Sequence, residues 1–203
     1  NIADALRLAG TGMAGEGALR NLAGNNVISG LVIMEGPGNV SVPSQNRIQS
    51  DAGTLTFNGG GVVKTNNSIQ TGNQYIHLGG AGDIVVVNRL GTGGAGGVVK
   101  DGSGTLYLQG DNKFGAFQVQ AGKVISSGTF NMDDPKRAVS IFGGSLELQQ
   151  NSVQQIYTLT LGSATTTEAF AEVKLGAGTT LELTNNLTFN ASANAANTAS
   201  ISG

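Results

Sequence analysis

The densest group of residues that could perform acid–base chemistry is a short segment in the second half of the chain. Asp133 and Asp134 are followed directly by Pro135, Lys136 and Arg137. Polysaccharide lyases and hydrolases work with clustered carboxylates, and a nearby cation often helps them. Two acids beside a proline and two cations are also typical of a solvated turn, and we interpret the segment as such a turn. The alternative is a carbohydrate-active enzyme that uses these acids. It requires that at least three residues of the following set share one concave face: Asp133, Asp134, Lys136, Arg137, Glu147 and Glu168.

Two glycine-rich motifs could hold a ligand. Residues 91–96 (GTGGAG) match the dinucleotide-binding pattern G-x-G-x-x-G, and Asp111 follows twenty residues after Gly91. That site also needs a helix that begins within the loop, whereas residues 97–100 have the pattern of a strand. The sequence therefore favours a loop between two strands over a nucleotide site.

The second motif, residues 79–84 (GGAGDI), is close to the calcium-binding repeat G-G-x-G-x-D-x-U-x. Asp83 comes one position early, and no tandem copy supplies the opposite half of a site that needs six to eight oxygen ligands. We interpret this motif as a turn that leads into a core strand.

Cysteine and histidine are almost absent. The chain has no Cys and one His, which excludes thiolate or His-rich zinc sites, Cys nucleophiles, disulfides and iron–sulfur clusters. His77 lies between Ile76 and Leu78, so alternation predicts that it points away from the core. The sequence assigns no catalytic, cofactor-binding or metal-binding residue, requires no cofactor and indicates a protein that is not an enzyme.

The composition is that of a glycine-rich chain with few charges. Among 203 residues are 33 Gly; charged residues make up 12% and hydrophobic residues 39%. The net charge is −2 and there is no basic run, so the electrostatic basis of nucleic-acid binding is missing. No apolar stretch approaches the roughly 18 residues needed to cross a bilayer, so we expect no membrane insertion by this segment. The start lacks Met and a signal-like apolar region, so we expect a mature or excised segment.

Alternation with period two runs through the chain and predicts strands separated by Gly, Asn, Asp and Ser turns. The expected strands are residues 31–33, 54–57, 61–64, 75–78, 84–87, 105–108, 117–120, 145–148, 157–161, 173–175, 181–183 and 187–189. Residues 2–9 are the best helix candidate, but Leu6 and Leu8 also alternate, so strand or coil is favoured there.

Polar residues in and near the turns have predicted structural roles. We expect Asp51, Asp101 and Asp111 in turns, where their side chains can bond to the backbone. Glu147, Glu172 and Glu182 alternate with apolar neighbours and should point outward. Turn asparagines that stack between coils can form amide ladders, and the candidates are Asn25, Asn26 and Asn112.

Internal similarity indicates a repeat architecture. Residues 15–26 (GEGALRNLAGNN) align with residues 101–112 (DGSGTLYLQGDN), and shorter echoes occur at 51–57, 143–148 and 176–183. Repeats of a few tens of residues are typical of solenoids, in which stacked coils about 4.8 Å apart bury a common core. We therefore predict one all-β segment over residues 1–203, a parallel β-helix of roughly eight to ten coils with about 20 to 25 residues each. Its Thr, Asn, Gln and Lys residues at alternate positions should face solvent.

An antiparallel sandwich or barrel is the competing all-β fold. Its hairpins need two-residue turn signals, and the plausible ones are Asn58-Gly59 and Asp101-Gly102. Their scarcity and the irregular spacing of the strands count against it.

One stretch resembles a known family. Residues 97–115 (GVVKDGSGTLYLQGDNKFG), followed by residues 119–124 (VQAGKV), resemble the autotransporter-associated β-strand repeat, whose pattern is Lys-x-Gly-x-Gly-Thr-Leu-x-Leu-x-Gly-x-Asn followed by Ala-Gly-x-Leu. Val124 takes the place of the usual Leu, residues 15–30 resemble a second copy, and residues 175–181 resemble the stretch that often follows.

The resemblance implies the passenger region of a bacterial type V secreted protein, a right-handed parallel β-helix displayed outside the cell. It also implies a stalk or adhesin-like rod at the bacterial cell surface, with host or cell-surface glycans or proteins as partners. Residues 198–203 look like the start of another coil, so we expect a fragment of a longer passenger. The chain contains no signal peptide and no translocator barrel, so we expect secretion by this route for a parent protein. A carbohydrate-active β-helix enzyme and a subunit of a head-to-tail filament are the alternatives.

Overall fold

The chain is a stack of three-stranded coils in a computed structural model. The structure describes residues 1–35, 45–59, 62–65, 75–91, 96–132, 138–163, 170–190 and 198–203. Apart from one 3₁₀ turn at Met13–Gly15, the regular elements among them are strands. In chain order, the eight coils are coil 1, β1 Leu6–Ala9, β2 Leu19–Asn21 and β3 Asn25–Ile28; coil 2, β4 Val32–Glu35, β5 Gln45–Ser50 and β6 Thr54–Phe57; coil 3, β7 Val62–Thr65, β8 Tyr75–Gly79 and β9 Asp83–Val86; coil 4, β10 Leu90–Gly91, β11 Gly97–Lys100 and β12 Thr105–Leu108; coil 5, β13 Asp111–Phe114, β14 Ala116–Val119 and β15 Lys123–Ser126; coil 6, β16 Thr129–Met132, β17 Ala138–Ile141 and β18 Gly144–Leu148; coil 7, β19 Val153–Ile156, β20 Thr158–Leu161 and β21 Phe170–Leu175; and coil 8, β22 Thr180–Leu183, β23 Leu187–Phe189 and β24 Thr198–Ser202.

Each coil contributes one strand to each of three faces. Face 1 holds the first strand of each coil. The strands β1, β4, β7, β10, β13 and β16 form a six-stranded sheet, and β19 and β22 form a separate pair. Faces 2 and 3 are eight-stranded sheets made of the second and third strands. Every ladder among the described strands is parallel, including those that flank Asn58-Gly59 and Asp101-Gly102. The predicted parallel β-helix is therefore confirmed, and the antiparallel sandwich is wrong.

The length of a coil varies more than the sequence pattern indicates. Along face 3, Asn25 pairs with Thr54, 29 residues later, whereas Thr105 pairs with Lys123, only 18 residues later. The register stays in phase despite this variation, because a shift of one residue would turn the apolar side chains outward. Loops at the corners absorb the extra residues, as is usual for solenoids.

The core consists of in-register columns that run along the axis. One column on face 3 contains Leu55, Ile84, Leu106, Val124, Leu146 and Val173, each at most 3% exposed. In coils 5 and 6, Phe114, Phe117 and Phe130 pack with ring centroids 4.9 to 5.1 Å apart. These contacts explain how a chain with few aromatic residues fills its interior.

Glycines stack at the corner between faces 2 and 3. Gly102 and Gly122 have φ of +70° and +75°, a conformation that L side chains rarely adopt. A Cβ atom at Gly122 would lie 2.4 Å from the carbonyl oxygen of Gly102, and one at Gly102 would lie 2.4 Å from that of Gly80. The glycine of the repeat pattern is therefore required both by the turn and by the approach of the coils.

The twelve expected strands are all present, but several strands are more polar than the pattern predicts. Examples are β3, β5 and β13. Asn25 and Asn26 belong to β3 and Asp111 belongs to β13, although we expected all three in turns. The β1 strand confirms an extended conformation for the second half of residues 2–9. Thr198–Ser202 is not the start of a new coil, because β24 pairs with β21 as the third strand of coil 8.

Candidate functional surface

Three polar residues from three successive coils meet on the outer side of face 2. Arg47 of β5 donates two hydrogen bonds to Asp101, from Nη1 to Oδ2 at 2.7 Å and from Nη2 to Oδ1 at 2.8 Å. His77 of β8 lies between them in the stack, with Nδ1 3.2 Å from Asp101 Oδ2. We call these three residues the face-2 clasp. His77 lies on the outer side as predicted, but its side chain is only 16% exposed.

The clasp crosses coil 3 at a glycine. A Cβ atom at Gly79 would lie 1.8 Å from Asp101 Oδ1 and 2.8 Å from Arg47 Nη2. Gly79 therefore leaves the space through which the ion pair passes from coil 2 to coil 4. The backbone of Asp101 is also bonded to coil 3, since its amide donates to the carbonyl oxygen of Leu78 at 3.2 Å.

The clasp keeps Asp101 ionised. Burial opposes the charge, but hydrogen bonds from His77 and Arg47 outweigh it and hold the pKa of Asp101 well below its ordinary value. Because Asp101 is then an acceptor only, the contact at His77 Nδ1 requires a proton on that nitrogen. The sequence reasoning placed Asp101 in a turn and missed the clasp, since 54 residues separate it from Arg47.

The polar contacts continue toward coil 1. Arg47 Nε donates to Gln49 Oε1 at 2.9 Å, and Gln49 Nε2 donates to Asp51 Oδ1 at 2.6 Å. Arg20 then joins Asp51, at 2.5 Å, to Glu16. The hydrogen bond from Gln49 and the ion pair with Arg20 lower the pKa of Asp51. The result is a line of alternating charge along the outer side of coils 1 to 4.

Lys100 departs from the expected solvent-facing position of lysines. It stands in an inward column with Ile48, Leu78, Val119, Ile141 and Leu161, and it is 2% exposed. Its ammonium group donates to the carbonyl oxygens of Asp101, Gly102 and Ala121 at 2.7, 2.8 and 3.2 Å. Burial lowers the pKa of Lys100 to about 8, although the charges of Asp101 and Asp83 oppose this effect. The methylene groups of Lys100 pack in the core like an aliphatic side chain. Its ammonium group bonds to the carbonyl oxygens of the corner between faces 2 and 3.

A second charged ladder lies on face 3. Lys123 lies 2.6 Å from Glu147 across neighbouring coils, and this contact together with a hydrogen bond from Gln149 lowers the pKa of Glu147. Lys174 lies 3.2 Å from Glu172 one coil further on. Glu147, Glu172 and Glu182 point outward as predicted.

Two of the three candidate asparagines link coils, and they do so through backbone groups rather than by stacking on one another. Asn112 is fully buried; its Oδ1 accepts from the Leu90 amide at 3.0 Å, and its Nδ2 donates to the carbonyl oxygen of Thr129 at 3.1 Å. Asn26 bonds to Asn21 and Ala23 in its own coil, whereas Asn25 Oδ1 accepts from the Thr54 amide in the next coil. Asn112 and Asn25 thus bond between coils, but they do so from strands and through backbone groups, so the predicted ladder of stacked turn amides is wrong for them.

The glycine-rich motifs have the expected surroundings where the structure describes them. Gly97–Lys100 is a strand, not the helix that a dinucleotide site needs, while residues 92–95 of the first motif lie outside the described residues. The second motif leads into β9, and Asp83 Oδ1 accepts from the Thr105 amide at 2.8 Å. Asp83 is therefore engaged with the next coil.

The carboxylate cluster of the enzyme alternative lies almost entirely outside the described residues. Of its six residues, Glu147 is described, and Asp133, Asp134, Lys136, Arg137 and Glu168 lie outside the described residues. In the described part of the chain, no three His, Cys, Asp or Glu side chains are grouped so as to hold a metal ion. No helix in that part is long and apolar enough to cross a membrane.

Comparisons with known proteins match this chain to no protein family, to no curated protein and to no solved structure.

Proposed function

We propose that this chain is a non-enzymatic structural and display module, a rod-like part of an exported bacterial passenger. The observation that carries the proposal is the continuity of the rod: faces 2 and 3 each join strands from all eight described coils in unbroken parallel ladders. Such a stack places surface features at fixed intervals along one axis, which suits a stalk or an adhesin-like surface.

The way the outer charges are used also supports a structural role. Asp51, Asp101 and Glu147 each contact a cation on a described strand, and each has a lowered pKa. A carboxylate that is engaged in this way and has a lowered pKa is a poor general acid, because a general acid needs a raised pKa. The proposed export across the outer membrane and the proposed location at the bacterial cell surface rest on the resemblance of residues 97–124 to the autotransporter-associated repeat.

A display assay tests the proposal. The 203-residue chain is placed between a signal peptide and an outer-membrane translocator barrel, and surface exposure is measured with antibodies and added protease on intact cells. We expect surface-exposed, protease-resistant chain. A matched Gly122→Ala variant, whose corner is disrupted, should reach the surface with less resistance to protease. Retention of the unaltered chain in the periplasm would contradict the export proposal.

Incubation with acidic and neutral polysaccharides tests the catalytic alternative. We expect neither new reducing ends nor the absorbance of unsaturated uronates. Turnover of any of these polymers would contradict the display proposal if it is abolished in the variant Asp133→Asn together with Asp134→Asn. The chain would then be a carbohydrate-active enzyme.

A further inference from the structure

The face-2 clasp joins coils that are not neighbours. In the ladders of face 2, β5 pairs with β8, and β8 pairs with β11, so β5 and β11 share no backbone hydrogen bonds. The two hydrogen bonds between Arg47 and Asp101 nevertheless connect the coils of β5 and β11 directly. A solenoid held together by contacts between adjacent coils alone opens coil by coil from its ends.

We propose that the face-2 clasp is a conformational device that makes coils 2, 3 and 4 open as one unit. Coil 3 cannot leave the stack while Arg47 and Asp101 remain bonded across it, because the ion pair passes over Gly79 of β8. His77 adds a bond from coil 3 itself to the same carboxylate. The proposal rests on this geometry and does not depend on the proposed function.

The geometry favours a strong link. The side chains of Arg47 and Asp101 are 18% and 20% exposed, so solvent screens the pair only in part. Two parallel hydrogen bonds from one guanidinium to one carboxylate are stronger and more directional than a single contact. Arg47 is also held from its other side by Gln49, which fixes the orientation of the guanidinium.

The prediction can be separated from ordinary coupling between neighbours. If only adjacent coils are coupled, loss of Asp101 should affect coil 3 most, because His77 bonds to it, and should affect coil 2 no more than coil 5. If the clasp couples coils 2 to 4, loss of Asp101 should affect β5 of coil 2 more than β14 of coil 5, although β14 is the strand bonded directly to β11.

Native-state hydrogen exchange of the 203-residue chain, followed by mass spectrometry, makes this measurement. In Asp101→Asn we expect exchange in β5 and β8 to become faster by on the order of tenfold, with a smaller change in β14. Arg47→Lys keeps the charge but loses the two-pronged contact, and it should speed exchange in β11 more than in β2 of coil 1. The matched control is Lys123→Gln, which removes a pair between adjacent coils and should act on coils 5 and 6.

Other outcomes overturn the proposal. A change in β14 as large as that in β5 for Asp101→Asn, or a change in β2 as large as that in β11 for Arg47→Lys, would show coupling between neighbours only. Uniform loss of protection over all coils in the conservative Arg47→Lys variant would show that coils 2 to 4 are not a separate unit.

Discussion

Arg47 and Asp101 lie 54 residues apart in the chain, yet their side chains form a two-pronged ion pair across an intervening coil. The pair is possible because Gly79, at the crossing point, has no side chain. His77 completes the clasp from the coil that is crossed. Its consequences for stability can be measured by equilibrium unfolding.

Asp101→Asn should lower the free energy of unfolding by about 2 kcal/mol at neutral pH, since charge-assisted bonds to Arg47 and His77 are lost. The pKa of Asp101 is lowered in the folded protein, so its contribution is complete above the ordinary aspartate pKa of about 3.9 and is lost as the pH falls below it. The difference between the two proteins should therefore shrink on acidification in denaturant titrations from pH 7 to pH 2. Asp4→Asn, at an exposed acid, is the control, and a difference that is constant over this range would contradict the assignment.

Gly79→Ala should weaken the same clasp without changing any charge. The added methyl group would lie 1.8 Å from Asp101 Oδ1, so the ion pair must move apart. We expect a loss of about 1–3 kcal/mol in the free energy of unfolding, and most of it should disappear in an Asp101→Asn background. Full additivity of the two changes in the double-mutant cycle would show that Gly79 acts elsewhere.

Lys100→Met should change how stability depends on alkaline pH. The pKa of Lys100 is lowered to about 8 in the folded protein, whereas an unfolded lysine titrates near 10.4. Between these values the unfolded chain binds more protons, so this lysine makes stability rise with pH, by at most about 1.4 kcal/mol per unit.

The methionine variant should lack this rise, because its thioether chain fills the aliphatic column without titrating. Denaturant titrations of both proteins at pH 7.5 to 10.5 measure the difference, and Lys123→Met, at an outer lysine, serves as the control. A difference between Lys100→Met and the unaltered protein that does not change with pH would contradict a buried, titrating Lys100.

Gly122→Ala should destabilise the protein more than Gly24→Ala. Both glycines have positive φ, +75° and +80°, so both variants carry the backbone strain of about 1–2 kcal/mol. A Cβ atom at Gly24 has nothing within 4 Å, whereas one at Gly122 meets the oxygen of Gly102 at 2.4 Å. We expect an additional loss of about 1–3 kcal/mol at Gly122 in thermal or denaturant unfolding. Equal losses at the two sites would mean that only the backbone conformation matters.

Phe117→Ala should cost about 3–5 kcal/mol, since Phe117 is fully buried against Phe114 and Phe130. The matched variant is Phe189→Ala, at a phenylalanine that is 53% exposed in coil 8, and it should cost less than about 1 kcal/mol. Comparable losses from both variants in urea unfolding would contradict the position of the core.

The sequence by itself determined the period of two, the glycine turns and the apolar positions that alternate along strands such as Thr54–Phe57 and Thr105–Leu108. These features are local, because the pleat and the conformational preference of glycine act within a few residues. They were sufficient for an all-β solenoid and for the outward direction of His77 and Glu147. They were also sufficient to indicate that the glycine-rich motif before Gly97 leads into a strand.

Only the tertiary structure decided where polar residues act between coils. The sequence pattern predicts that Lys100 faces solvent. In the stack it lies between Leu78 and Val119, and its ammonium group bonds to a backbone carbonyl oxygen at the adjoining corner. Asn112 reads as a turn residue, yet it bonds coils on both sides of its own. Coil lengths vary from 18 to 30 residues, so the spacing in the sequence does not tell which residues will face one another. The meeting of Arg47, His77 and Asp101 depends on that accumulated register, which exists only once the coils are stacked.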